Sequence, residues 1–391
     1  GLDRGTGEFT TESLESRNKS HRFRKFLFDS SRTSSCQVAR IGSMRIETGV
    51  PITDWRKVGP AAEAAEALGF DGLLSFEITN DPFAPLVPAC LATERVRLGT
   101  AIAVCFPRSP MVVANTAWDL HVHSGGRFTL GLGTQVKGHN ERRFSVPWTP
   151  PLPRLREYIQ ALRAIWRCWE KKEKLDFRGE HYQFTLMTPE FAPPPAGLPP
   201  IPVTIAAVRP AMLRLAGRMC DGVRLHGFAT KKYVDEVAMP KIREGLAAAG
   251  RDRSTFEVWG GGFLATGRDE AAVARAREAI RYRIAFYGST RSYHPVLEIH
   301  GWEDLGMKLH AMSKEGQWDK MAAEVPDDVV EAFTVIGTYG ELKPKFEARY
   351  GGITDSTTIE FKGIPDGEAR EILQDLKRVK SPFTGFALDW S

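Results

Sequence analysis

Between Arg97 and Phe144 the chain spells out a complete strand–helix–strand unit, and this unit limits what the rest can fold into. Arg97 to Cys105 is apolar and bounded by turn residues, as befits a strand covered on both faces. Phe106-Pro107-Arg108-Ser109-Pro110 breaks it, because each proline lacks a backbone donor and fixes φ. Met111 to His123 then places apolar residues at helical spacing, with Ser109 as a natural N-cap before Pro110. Gly125-Gly126 ends the helix where positive φ is needed, and Arg127 to Gly133 reads as the next, parallel strand.

The same alternation runs along the chain. Strands are expected at Met44–Val50, Phe70–Phe76, Arg97–Cys105, Arg127–Gly133, Val203–Ala207, Asp221–Leu225, Phe256–Thr266 and Thr354–Phe361. Helices between them include an alanine-rich one over Lys57–Leu68 and a strongly amphipathic one over Leu152–Trp169. Residues 286–324 do not fit the repeat and read as an inserted helical segment. Eight strands alternating with helices point to an α/β fold, a closed (β/α)8 TIM barrel with inserted segments. An open dinucleotide-binding sheet would need G-x-G-x-x-G after the first strand. Gly131-Leu132-Gly133 instead follows the fourth, and Val136 stands at the third glycine's position.

Composition narrows the setting. Residues 1–43 hold eight Lys/Arg and five Asp/Glu, so +3 of the net +5 lies in a Ser/Thr/Arg-rich leader with little apolar periodicity. That leader reads as a tag, an upstream extension or a disordered arm, leaving 44–391 as a single barrel domain. A nearly neutral body gives no reason to expect nucleic acid or a membrane as partner. Five scattered cysteines without a C-x-x-C pair argue for a reducing cytoplasm and against a thiolate metal site. His121 and His123 point in different directions on one helix, and His181, His294, His300 and His310 have no partner at ligand spacing, so no metal is expected.

LGTAIAVCFPRSP, GGRFTLGLGTQ, IAAVRPAMLRLAGRMCDGV and GFDGLLSFE together resemble the luciferase-like (β/α)8 oxidoreductases, specifically the branch that uses the deazaflavin coenzyme F420. The resemblance spans nearly all of Met44–Phe361 and gives the barrel its bacterial-luciferase-like character. It implies a homodimer, a small-molecule substrate, and hydride transfer to or from F420. An FMN-dependent monooxygenase using reduced flavin and oxygen is the first alternative, and a non-catalytic flavin or deazaflavin binder the second. It also implies a non-prolyl cis peptide in strand three, at Ala101-Ile102, with Ala101, Ile102 and Ala103 beneath the ring system.

Barrel chemistry belongs at the carboxyl ends of the strands. Glu77 follows strand two, where F420-dependent relatives commonly read Ser-Asp-His and this chain reads Ser75-Phe76-Glu77; a half-buried carboxylate there is a candidate acid or base. Thr134 and Gln135 follow strand four and are candidates for the ring's carbonyl edge, with Asn140 and the proton carrier His139 further along the loop. In Ala206-Ala207-Val208-Arg209-Pro210 the proline starts a helix whose N-terminus attracts phosphate, and Arg209 adds a forked cation. The same segment resembles the family's phosphate-binding turn. Gly222 and Val223 of strand six are expected to let the backbone approach the cofactor, and His226 either faces it or packs in the core.

Overall fold

A computed structural model describes residues 42–390. Eight parallel strands close on themselves: β1 Arg45–Gly49, β2 Gly72–Ser75, β3 Arg97–Thr100, β4 Phe128–Gly133, β5 Val203–Ala207, β6 Gly222–Leu225, β7 Glu257–Gly260 and β8 Ser356–Thr358. Their order follows the chain, and closure comes from β1 against β8, with Arg45 opposite Ser356. β3 is interrupted by a cis peptide at Ala101-Ile102 and resumes at Ala103–Val104, still paired with β4 through Leu132 and Gly133.

Local signals set the helix ends. Ser109 accepts the Met111 N–H at the start of Pro110–His123, and Gly125 and Gly126 follow its end at φ 65° and 87°. The long helix Pro151–Lys171 buries Leu155, Tyr158, Ile159, Leu162, Ile165 and Trp166 to 1% exposure or less, which seats it on the barrel wall. No helix among the described residues is long and apolar enough to cross a membrane.

Three expectations need revision. The leader does not extend to Ser43: residues 1–41 lie outside the described residues, but Gly42 and Ser43 pair antiparallel with Ser381 and Lys380. The apolar run Phe256–Thr266 is two strands. Gly260, Gly261 and Gly262 sit at φ 76°, 103° and 141° and turn the chain out of the barrel, so that Phe263–Gly267 pairs in parallel with Thr334–Thr338. The third concerns the segment before β8. It is helical as expected (His294–Glu298, Glu303–Lys314), yet the insertion reaches further, through Asp327–Phe333 and the unforeseen strand Thr334–Thr338. These pieces share an apolar core of their own around Phe228, Phe263, Ile284, Leu297 and Phe333.

Candidate active site

Alternation along each strand decides which side chains enter the barrel. The lower interior is charged. Arg97 of β3 bonds Glu47 of β1 at 2.9 Å and Glu257 of β7 at 2.6 Å. Arg45 reaches the same Glu257 at 3.3 Å, Ser356 donates to it at 3.0 Å, and Trp259 Nε1 donates to Glu47 at 2.8 Å. Arg224 of β6 lies over the Trp259 ring at 5.3 Å and bonds Thr204. Burial pushes the Glu257 carboxyl up, but the charge and hydrogen bonds of Arg97, with Arg45 and Arg224 behind, outweigh it and hold the group at about 2. None of these residues stands out by motif; the available signal is charges at alternate positions of otherwise apolar strands.

Above this floor the inward positions become small. A Cβ on Gly131 would lie 2.8 Å from Arg224 Nε, which places that glycine inside. Two residues later a Cβ on Gly133 would lie 2.4 Å from Ile102 Cδ1 and 3.7 Å from Ala206 Cβ. Ile102, Gly133 and Ala206 therefore meet at the carboxyl end of β3, β4 and β5, and the missing Gly133 side chain is what lets Ile102 lie there. Ala101 and Ile102 are half-buried at this mouth. Ala103 is fully buried and belongs to the packed core, so the mouth contains only the first two of that trio.

After β4, Gln135 takes a left-handed conformation (φ 58°) and its side chain folds back to accept the Val136 N–H. Asn140 is fully buried and donates to the Thr134 and Val136 carbonyls, which makes it the brace of this loop; its Oδ1 has no partner among the described residues. His139, on the same short helix Lys137–Arg142, is exposed, because a helix turns consecutive side chains to different sides.

Glu77 occupies a different place from that expected of a proton carrier. Both its oxygens accept from Arg108 Nη1, at 3.0 and 2.8 Å, and one also accepts the Val104 N–H at 2.7 Å. Arg108 bonds Asp81 as well. The carboxylate thus clamps the loops after β2 and β3 together, a partner 31 residues away that local pattern does not reveal.

Beyond β5, Tyr233 Oη donates to the Val208 carbonyl at 2.8 Å and holds the turn into the helix Pro210–Met219. Arg209 is the N-cap of that helix, is exposed, and makes no side-chain cap, so the helix end and the guanidinium are both accessible. Ala207 is buried beside Ala206. Gly222 and Val223 lie at the wrong end: Gly222 is level with Thr204 and Glu257, where β5 and β7 begin, and Val223 is level with Ile205. Both belong to the amino-terminal half of β6, and what reaches the mouth from this strand is His226.

His226 follows Arg224 by two and so shares its inward side. Its ring packs against Tyr287 and Tyr293 of the insertion, at 4.3 and 4.9 Å between centroids. Burial pulls its pKa down to about 4. Because Nδ1 accepts the Phe228 N–H at 2.9 Å, the neutral ring carries its proton on Nε2. His181, without a partner in sequence, is brought beside Glu157 and Glu180, but Glu157 already accepts the His181 N–H and braces the hairpin there.

A barrel with this mouth defines the class, and the comparisons name it. The luciferase-like monooxygenase family matches residues 33–356, and the chain belongs to that family. It is 44% identical over 335 residues to an uncharacterized protein of Mycobacterium tuberculosis, covering 86% of this chain and 98% of that one. It is 28% identical over 313 residues to the 5,10-methylenetetrahydromethanopterin reductase of Archaeoglobus fulgidus, covering 78% and 90%. Among solved structures, the coenzyme F420 dependent tetrahydromethanopterin reductase of Methanopyrus kandleri superposes with a TM-score of 0.68 at 22% identity, covering 86% and 98%.

Proposed function

We propose that the chain is an F420-dependent oxidoreductase acting on a small organic substrate. The observation that carries the reading is the mouth itself: Gly133 and Ala206 leave only Ile102 to fill it, and Arg209 starts the helix Pro210–Met219 three residues beyond Ala206. A flat ring fits over small residues, and a phosphate fits a helix N-terminus with an adjacent guanidinium. The half-buried Thr134 and the turned-back Gln135 add polar groups at the same rim. The similarity to methanopterin-linked and F420-dependent reductases favours the deazaflavin over FMN.

When bound, the cofactor supplies the hydride chemistry. The chain's own residues orient and exclude water. Ile102 and Ala206 support the ring, Arg209 holds the phosphate, and the aromatic wall of Tyr287 and Tyr293 dries the space next to His226. His226, neutral down to about pH 4 and with Nδ1 taken by the Phe228 N–H, offers Nε2–H as a fixed hydrogen-bond donor to a polar atom of substrate or ring, not as a proton carrier. The test is a fluorescence-quenching titration with F420 and with FMN. Micromolar F420 binding with weak FMN binding supports the reading; preference for FMN redirects it to the monooxygenase, and binding of both without turnover on a substrate panel to a non-catalytic binder.

A further inference from the structure

At the opposite end of the barrel, the residues that lead into β5, β6 and β7 border a cavity of about 350 Å³ closed by the C-terminal segment 387–390. Four arginines line it, Arg163, Arg167, Arg218 and Arg251, against two aspartates, Asp221 and Asp389, a net charge of +2. Two of the four have nearby commitments: Arg167 bonds Glu173 at 2.7 Å, and Arg251 donates to the Cys220 carbonyl. Arg163 touches Asp221 at 3.4 Å only, and Asp221 already accepts the Val203 N–H at 2.8 Å. Arg218 is exposed and forms no ion pair among the described residues. The far wall is apolar, with Trp390 fixed by a bond from its Nε1 to the Leu198 carbonyl at 2.8 Å.

The amino-terminal face of a (β/α)8 barrel serves stability rather than catalysis. Arg218 has no ion-pair partner among the described residues, and an anion entering the cavity beside it and Arg163 would supply a counter-charge. A guanidinium fork matches the two oxygens of a phosphate or carboxylate, and the volume lies within the range of small-molecule sites. We infer that this cavity is a second binding site, taking a small organic anion whose phosphate or carboxylate group is held by Arg163 and Arg218 and whose body lies against Trp390.

The test is calorimetric titration of the full chain with inorganic phosphate and, separately, with citrate, at constant ionic strength. Saturable binding of either at one site per chain is expected, and the anion that saturates identifies the group held. The double variant Arg163→Ala, Arg218→Ala should weaken that binding about tenfold or more, the loss of one charge-assisted bidentate contact. Arg209→Ala, at the other end of the barrel, should leave it within about twofold, which separates this site from the cofactor's. No saturable binding of either anion overturns the inference, as does binding lost in Arg209→Ala but kept in the double variant. Should the double variant fail to melt cooperatively, Arg218→Gln alone decides: unchanged affinity overturns the site, and weakened affinity supports it.

Discussion

Inside the barrel, Arg45, Arg97 and Arg224 face Glu47 and Glu257, whereas at the carboxyl ends of β3, β4 and β5 Ile102 meets only Gly133 and Ala206. The two regions share β3, where Arg97 and Ile102 are five residues apart. The floor consists of opposite charges held against one another, with Arg97 Nε and Arg224 Nη1 left without a partner among the described residues, so removing a carboxylate strands its arginines in a low dielectric. The mouth consists of small inward residues with the half-buried Thr134 and Gln135 at its rim. The difference teaches where to look: fixed, paired charge marks the scaffold, and small inward residues at the carboxyl ends of the strands mark the site.

The floor should give the largest response. Glu257→Gln leaves Arg97 and Arg45 short of a counter-charge and is expected to lower unfolding free energy by about 3–5 kcal/mol, read by urea denaturation. A loss below about 1 kcal/mol would break the comparison at its stronger end. His226 links the two regions through pH. Its folded pKa is about 4, below the ordinary histidine value of 6.5, so between these the unfolded chain binds the extra proton. Stability contributed by the neutral ring is therefore full above pH 6.5 and is lost as pH falls toward 4, by up to about 3 kcal/mol. His226→Gln should flatten that acid-side slope of the melting temperature and lower turnover while leaving cofactor affinity nearly unchanged.

At the mouth, Arg209→Ala should weaken cofactor binding by about tenfold, or 1.4 kcal/mol, with no change in melting temperature, because the side chain is exposed. Equal affinity in that variant would move the phosphate elsewhere. The smallest effect belongs to His139→Ala, also exposed, expected within about 0.5 kcal/mol in stability and within twofold in turnover. A large loss of activity there would restore His139 as the proton carrier.

Some of the site was legible because it is local. The turn Val208-Arg209-Pro210 and the cis peptide position Ala101-Ile102 both fall where pattern and resemblance place them. Glu77 and Asn140 stand out in the sequence, but their contacts to Arg108 and to the Thr134 carbonyl are set by how loops converge. Gly222 and Val223 were misassigned because a glycine near a strand gives no indication of which end of the strand it occupies relative to its neighbours.

What the sequence determined by itself is the order of strands and helices, and with it the closed barrel. Apolar runs, N-caps such as Ser109 and glycine stops such as Gly125 act over a few residues and need no partner to be read. What only the tertiary structure decided is the inside of that barrel: the pairing of Arg97 with Glu257 across 160 positions, the meeting of Ile102 with Gly133 and Ala206, and the placing of Tyr287 and Tyr293 over His226. Those contacts depend on strand register and barrel closure, which are properties of the packed sheet as a whole.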